Sequence, residues 1–148
     1  MVKARGLDTK MSEPKIELRP IGTIRSELKE RTGASRQGNE GAPDAWLEVE
    51  DWAARALSGV AEGDRLIVIT WLHRGRRDTF EVYPRGDRRH TLTGVFATRS
   101  PHRPNPLGLH RVTVREIAAT RMRVGPIEAI DGTPIVDIKA VLDDRNEA

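Results

Sequence analysis

LIVITWL, Leu66 to Leu72, is a nearly continuous apolar run, and it predicts a central strand buried on both faces. Outward from it the pattern is mostly period two, broken by Gly and Pro. Toward the N-terminus, Ile16 to Arg25 reads as a strand interrupted at Pro20, Lys29 to Pro43 as a loop, and Trp46 to Val49 as a short strand. Asp51 to Val60 carries the one helix signal, with Asp51 placed to cap and Trp52, Ala56 and Val60 sharing a face before Gly59 and Gly63. Toward the C-terminus, Thr79 to Tyr83 alternates, Arg85 to Arg89 is an Arg-rich turn, and Leu92 to Thr98 reads as a strand. Leu107 to Ile117 and Arg121 to Val124 form a hairpin-like pair, with Met122 and Val124 inward and Arg121 and Arg123 outward. The last strand, Pro134 to Leu142, places Val136, Ile138, Ala140 and Leu142 on one face and Asp137 and Lys139 on the other. Many short strands with one short helix predict an all-β, single-domain barrel or sandwich. A Rossmann fold is disfavoured, since strands do not alternate with long helices and no G-x-G-x-x-G follows a strand.

Composition bounds the chemistry. A chain of 148 residues with 37% hydrophobic and 32% charged content fits one folded domain. The expected layout is a disordered tail over 1–14, the domain over 15–143 and a short tail over 144–148. No Cys is present, which removes disulfides, thiolate metal sites and cysteine nucleophiles. His90, His102 and His110 lack ligand spacing or nearby carboxylate pairs, so no metal is expected. No apolar run approaches the roughly 18 residues of a membrane span, and the polar start is no secretory signal, so the cytoplasm is the expected compartment. The net charge is +3, and 20 of the 25 basic residues are Arg. Nine of these Arg fall between His73 and Arg111 against three acids, so that window is +6 and the remainder −3. A clustered Arg stretch suits phosphate recognition, although a solvated Arg-rich face has the same composition.

Within that window lies GVFATRSPHRPNPLGL, Gly94 to Leu109. Pro101, Pro104 and Pro106 remove three backbone donors and fix three φ angles, and each biases its predecessor toward extended geometry. The segment is therefore a rigid loop that presents Arg99, Ser100, His102, Arg103 and Asn105. Rigidity lowers the ordering cost of binding.

FATRSPHRPNPLGL is similar to the hallmark FATRSPxRPNPIGL of the TsaA-like family, also called the TrmO family, of S-adenosylmethionine-dependent tRNA methyltransferases. PIGTIRS (Pro20 to Ser26), Ser35-Arg36-Gln37, IVITWLH ending at His73, and DGTPIVDIKAVL (Asp131 to Leu142) resemble its further motifs. The resemblance covers about residues 18 to 142. It implies a compact β-barrel enzyme, a homodimer with S-adenosylmethionine near the subunit interface, acting on N6 of the modified adenosine 37 beside the tRNA anticodon.

By motif position the cofactor would meet Ser35, Arg36, Gln37, His73, Arg74, Arg99, Leu109 and the turn Asp131, Gly132, Thr133, Pro134. Arg36 or Arg99 could hold the cofactor carboxylate by forked hydrogen bonds, and Asp131 could accept from its ammonium or a ribose hydroxyl. Arg76, Arg77, Arg88, Arg89 and Arg103 are candidate tRNA contacts. Asn105 could bond the adenine edge, and Asp137 or His73 could take the proton that the acceptor nitrogen loses. Plainer roles compete: Asp137 and Lys139 as a surface ion pair, His73 as a structural histidine, Asp131-Gly132 as a hairpin turn. The family's Pro-Arg-Gln is Ser35-Arg36-Gln37 here, its aromatic positions before His73 are thinned to Thr70 and Leu72, and Ala140-Val141 replaces its Pro-Tyr. A non-catalytic S-adenosylmethionine sensor, or a methyltransferase on another acceptor, are the alternative readings.

Overall fold

A computed structural model describes residues 15–29 and 41–142. Six antiparallel strands close into a barrel: β1 (Gly22–Arg25), β2 (Ala45–Val49), β3 (Arg65–Trp71), β6 (Leu107–Ala118), β7 (Arg121–Gly125) and β8 (Pro134–Ala140), in the order β1-β2-β7-β6-β3-β8. A small two-stranded sheet, β4 (Glu81–Val82) with β5 (Thr93–Gly94), sits in the long β3–β6 connection. Closure pairs both edges of every barrel strand, so the fold is β-rich and not Rossmann. A barrel of so few strands has room only for side chains. Ile24, Leu47, Val68, Met122, Val124, Ile127 and Ile135 fill it and are wholly shielded from solvent.

The hairpin of β6 and β7 has the expected faces, with Met122 and Val124 buried and Arg121 exposed. Four expectations need correction. First, β3 alternates: Leu66, Val68 and Thr70 point inward, while Ile67, Ile69 and Trp71 are half-buried on the outer wall. Among the described residues no helical layer covers this wall, so continuity of apolar residues did not mean burial on both faces. Second, Asp51–Leu57 is a 3-10 helix that buries Ala53, leaves Trp52 and Ala56 exposed, and has no side-chain cap. Three residues per turn puts a different residue inward than the helical spacing did.

Third, the strand expected over Leu92 to Thr98 is cut to Thr93–Gly94 and becomes a 3-10 turn over Val95–Ala97. The Val95 carbonyl accepts from the Thr98 N–H, the Thr98 hydroxyl and the Arg103 guanidinium, which fold the chain back on itself. Fourth, β8 carries a bulge. Thr70 faces Ile135 but Ile69 faces Asp137, so Val136 is an extra residue. Ile135 and Ile138 therefore reach the core, in place of a regular Val136–Ile138–Ala140 face. At the N-terminal side, pairing begins only after Pro20, and Ile16 and Leu18 are exposed.

Strand direction sorts the connections between the two barrel ends. The β1–β2, β3–β6 and β7–β8 connections all emerge at one mouth. The opposite end holds the two-residue β6–β7 turn (Ala119, Thr120) and the β2–β3 segment, whose Leu57 and Val60 pack against the barrel core.

Candidate active site

The Pro-rich loop is docked at the mouth against the segment that leaves β3. The Arg103 N–H donates to the Arg76 carbonyl at 2.8 Å, and the Arg76 N–H donates to His102 Nδ1 at 3.0 Å. Gly75 permits this approach, because a Cβ there would stand 2.3 Å from the Pro101 carbonyl oxygen. Arg103 turns inward and donates to the carbonyls of Thr98, Ser100 and Val95 at 3.1, 3.0 and 2.9 Å. Arg77 donates to the Pro104 carbonyl at 2.7 Å and to Asn105 Oδ1 at 2.9 Å. Two of the five Arg expected on RNA are thus tethers of the loop's own backbone.

The other three differ among themselves. Arg76 pairs with Asp78 and Arg89 with Asp87, and each pair lowers its aspartate's pKa, chiefly through the side-chain hydrogen bond. Arg88 lies over the Tyr83 ring, 5.0 Å from its centroid. Arg99 is exposed and hydrogen-bonds no other described residue. Composition counts these guanidinium groups alike; only their partners separate them.

The Asp131 turn closes the other side of the mouth. Asp131 Oδ1 accepts from the Ser26 N–H at 2.9 Å and Oδ2 from Lys29 Nζ at 3.1 Å. The Ser26 bond, then Lys29, pulls the Asp131 carboxyl below the usual carboxylate range. Gly132 supplies the positive φ of 86° that the turn requires. Thr133 is buried, its hydroxyl donating to the Ile130 carbonyl at 2.6 Å, and half-buried Pro134 opens β8. Arg74 Nη1 donates to the Lys29 carbonyl at 3.1 Å and so ties this corner to the end of β3. Ser35, Arg36 and Gln37 lie outside the described residues, in the connection that the chain enters from Lys29.

His73 is exposed beyond β3, its pKa lowered by partial burial and by neighbouring Arg74, so it is neutral at pH 7. Asn105 is exposed on the docked loop. Asp137 is not brought to the mouth. It faces Ile69 on the outer wall, and its carboxylate lies 3.5 Å from Lys139. Leu109 is on the same wall, opposite Ile69 on the other side, 42% exposed.

Sequence reading missed a pair beneath the mouth, Thr70 buried and His110 partly so. Thr70 Oγ1 and His110 Nε2 are 2.9 Å apart, next to Gly108, where a Cβ would strike both side chains. Burial, with Arg99 adding repulsion, lowers the His110 pKa to about 4. The signal was Thr70 itself, the one polar residue in LIVITWL.

This arrangement has counterparts among known proteins. Residues 23–145 match the family described as tRNA-methyltransferase O N-terminal domain. The chain belongs to that family. It is 37% identical over 134 residues to a probable S-adenosyl-L-methionine-binding protein of Methanothermobacter thermautotrophicus, covering 90% of this chain and 96% of the relative. An S-adenosyl-L-methionine-binding protein of Archaeoglobus fulgidus is 37% identical over 82% of this chain and 86% of its own length. The crystal structure of a TrmO superposes with a TM-score of 0.73 at 29% identity, and that of TrmO from Pseudomonas aeruginosa with 0.70 at 28%. These alignments cover 91% of this chain but only 61% and 60% of the TrmO chains, so it spans about three-fifths of their length. The Pro-rich loop and the Asp131 turn that this chain brings to one mouth both lie within the residues that match the TrmO N-terminal domain family. Among the described residues, no cluster of three potential metal ligands occurs and no helix is long and apolar enough to cross a membrane.

Proposed function

We propose that this protein binds S-adenosylmethionine at the mouth and transfers its methyl group to N6 of the modified adenosine 37 beside the tRNA anticodon. The observation that carries the reading is the convergence of His73, Arg74, Arg99 and the Asp131–Pro134 turn, separated in sequence, on one barrel end within a TrmO-family fold. The donor set suits the cofactor. Arg99, unpaired among the described residues, offers a fork for a carboxylate. Neutral His73 and His110 add no imidazolium beside a sulfonium. When bound, the cofactor supplies an activated methyl group.

The chain's own contribution is chiefly positioning, because an in-line displacement depends on alignment. The docked Pro-rich loop holds its polar groups without further ordering. His73, neutral and exposed, is the candidate acceptor for the proton that N6 gives up; Asp137, paired with Lys139 on the outer wall, is the weaker one. Arg88, and Arg76 and Arg89 once exchanged from their acid partners Asp78 and Asp87, meet phosphates. Compartment and assembly follow the same reading: a cytoplasmic homodimer. Its interface would be the outer wall of β3 and β6, where Ile69 faces Leu109 and Trp71, with Arg77 over its ring, faces Leu107, an apolar surface left partly open among the described residues. Leu109 would then stand where cofactor and partner meet.

A second reading has a specific support. The relatives are named for binding S-adenosylmethionine alone, and the chain spans only part of the TrmO chains, which favours a cofactor-binding module without turnover. Nucleoside mass spectrometry of tRNA from a deletion strain, with and without the restored gene, separates the two. Loss and recovery of a methyl group on adenosine 37 supports the enzyme. An unchanged nucleoside profile, with cofactor binding intact by calorimetry, leaves the sensor.

A further inference from the structure

The partners of Arg77 place it inside the binding loop rather than on a phosphate-facing surface. Its Nε donates to the Pro104 carbonyl at 2.7 Å and its Nη2 to Asn105 Oδ1 at 2.9 Å, while the guanidinium lies 5.2 Å from the Trp71 ring centroid. The backbone it meets is already fixed. Pro104 and Pro106 set φ on either side of Asn105, Pro106 is buried, and the Leu107 N–H donates back to the Asn105 carbonyl at 2.7 Å. What remains free is the direction of the Asn105 carboxamide, and Arg77 decides it. A guanidinium has only donors, so it must face Oδ1 and cannot face Nδ2.

We propose that Arg77 is a positioning residue that orients Asn105 so that its Nδ2–H group points at the substrate, and that Asn105 thereby reads a hydrogen-bond acceptor on the target base. This rests on the adenine-methyltransferase reading above. The usual pairing of Asn with adenine is bidentate, Oδ1 accepting from the N6 amine while Nδ2 donates to N7. Here the cation already draws on Oδ1, which weakens its hold on the amine and strengthens Nδ2–H as a donor. Asn105 then grips a ring nitrogen beside N6, either N1 or N7, and leaves the amine free to react. The fork geometry is essential, because a lysine ammonium cannot span the Pro104 carbonyl and Asn105 Oδ1 in the same way.

The test uses the full-length protein with an anticodon stem-loop RNA that carries the modified adenosine at position 37, and three variants: Arg77→Lys, Asn105→Asp and the double. Arg77→Lys keeps the charge, and Asn105→Asp keeps an acceptor for Arg77 while removing the outward donor. Each single variant is expected to lower kcat by about tenfold or more, the effect of one charge-assisted hydrogen bond. The double should be little worse than either single, with unchanged S-adenosylmethionine affinity and an unchanged salt slope of RNA binding. Stem-loops in which the modified adenosine at the target is replaced by its 7-deaza or 1-deaza counterpart, the N6 modification kept, should reproduce the Asn105→Asp loss for one of the two. Wild-type kcat in Arg77→Lys, or full activity on both deaza substrates, overturns the proposal. So does an Arg77→Ala variant that loses salt slope without losing kcat, the behaviour of a plain phosphate contact. The side-chain amide resonances of Asn105 give a readout independent of turnover. They should be resolved and shifted in wild type and move to the random-coil position in Arg77→Lys. If wild type fails to methylate but shows that signature, the enzyme reading fails while the positioning role stands.

Discussion

The two ends of the barrel are built by different means. At the sealed end β6 passes to β7 through two residues, and Leu57 and Val60 close the floor by apolar packing. At the mouth β3 reaches β6 only after the 35 residues from 72 to 106, and β1 reaches β2 after the 19 from 26 to 44. Those excursions are held by side chains bonded to backbone: Arg103 to three carbonyls, Arg77 to Pro104, Arg74 to Lys29, and Asp131 to Ser26. Apolar packing is non-directional and seals a surface. Polar tethers fix direction, and they leave neighbouring groups such as Arg99 and Asn105 facing outward. The difference explains how one small barrel combines a closed core with a ligand-ready rim.

The sharpest way to break this contrast is to cut the principal tether. Arg103→Ala removes three charge-assisted bonds and should destabilise the loop by roughly 3–5 kcal/mol. Hydrogen exchange should then show lost protection over residues 95–107 with β2 and β7 still protected. A barrel that melts along with the loop would mean the two ends are not independent.

Acid should also act through the mouth. His110 titrates at about 4 in the folded protein against an ordinary 6.5, so between these values the unfolded chain binds the extra proton. Stability is then full above pH 6.5 and falls as pH drops toward 4, by about 3 kcal/mol in all. Denaturant titrations across that range should show the slope, and His110→Gln should flatten it. An unchanged slope would place the acid sensitivity elsewhere.

Arg99→Ala probes the rim's chemistry. It should weaken S-adenosylmethionine binding by roughly 1.5–3 kcal/mol in metal-free calorimetry while leaving Tm nearly unchanged. A fall in Tm with unaltered affinity would make Arg99 a tether like Arg103. The smallest effect belongs to the sealed end. Arg121 lies 4.5 Å from the Trp46 ring centroid, and Arg121→Ala should cost about 0.5–1 kcal/mol of stability and no cofactor affinity.

Legibility from sequence followed the same division. The hairpin of β6 and β7 was readable because one face is buried and one is wet, which is what alternation encodes. The Pro-rich loop and the Asp131-Gly132 turn were readable because Pro and Gly act on local backbone. Direction was not readable. Nothing in HRPNP tells Arg103, turned toward Val95, from an exposed Arg99, since that depends on carbonyls brought close by the fold. Likewise nothing in the DGTP turn tells that the Ser26 N–H and Lys29 are brought to the two oxygens of Asp131. The outer wall of β3 misled because apolar residues facing outward look the same in sequence as residues facing a second layer.

The bulge at Val136 gives the final strand something like a reading frame. Because it stands between Ile135 and Asp137, both Ile135 and Ile138 reach the core while Asp137 and Lys139 stay outside. Deleting one residue there would remove the extra step and shift one side of the strand by a single position, driving either an isoleucine into water or a charge into the barrel. Homologous chains should therefore vary freely in length between β4 and β5. Between Asp131 and Lys139 they should keep a fixed count, so that stretch can drift in residue identity but not in spacing.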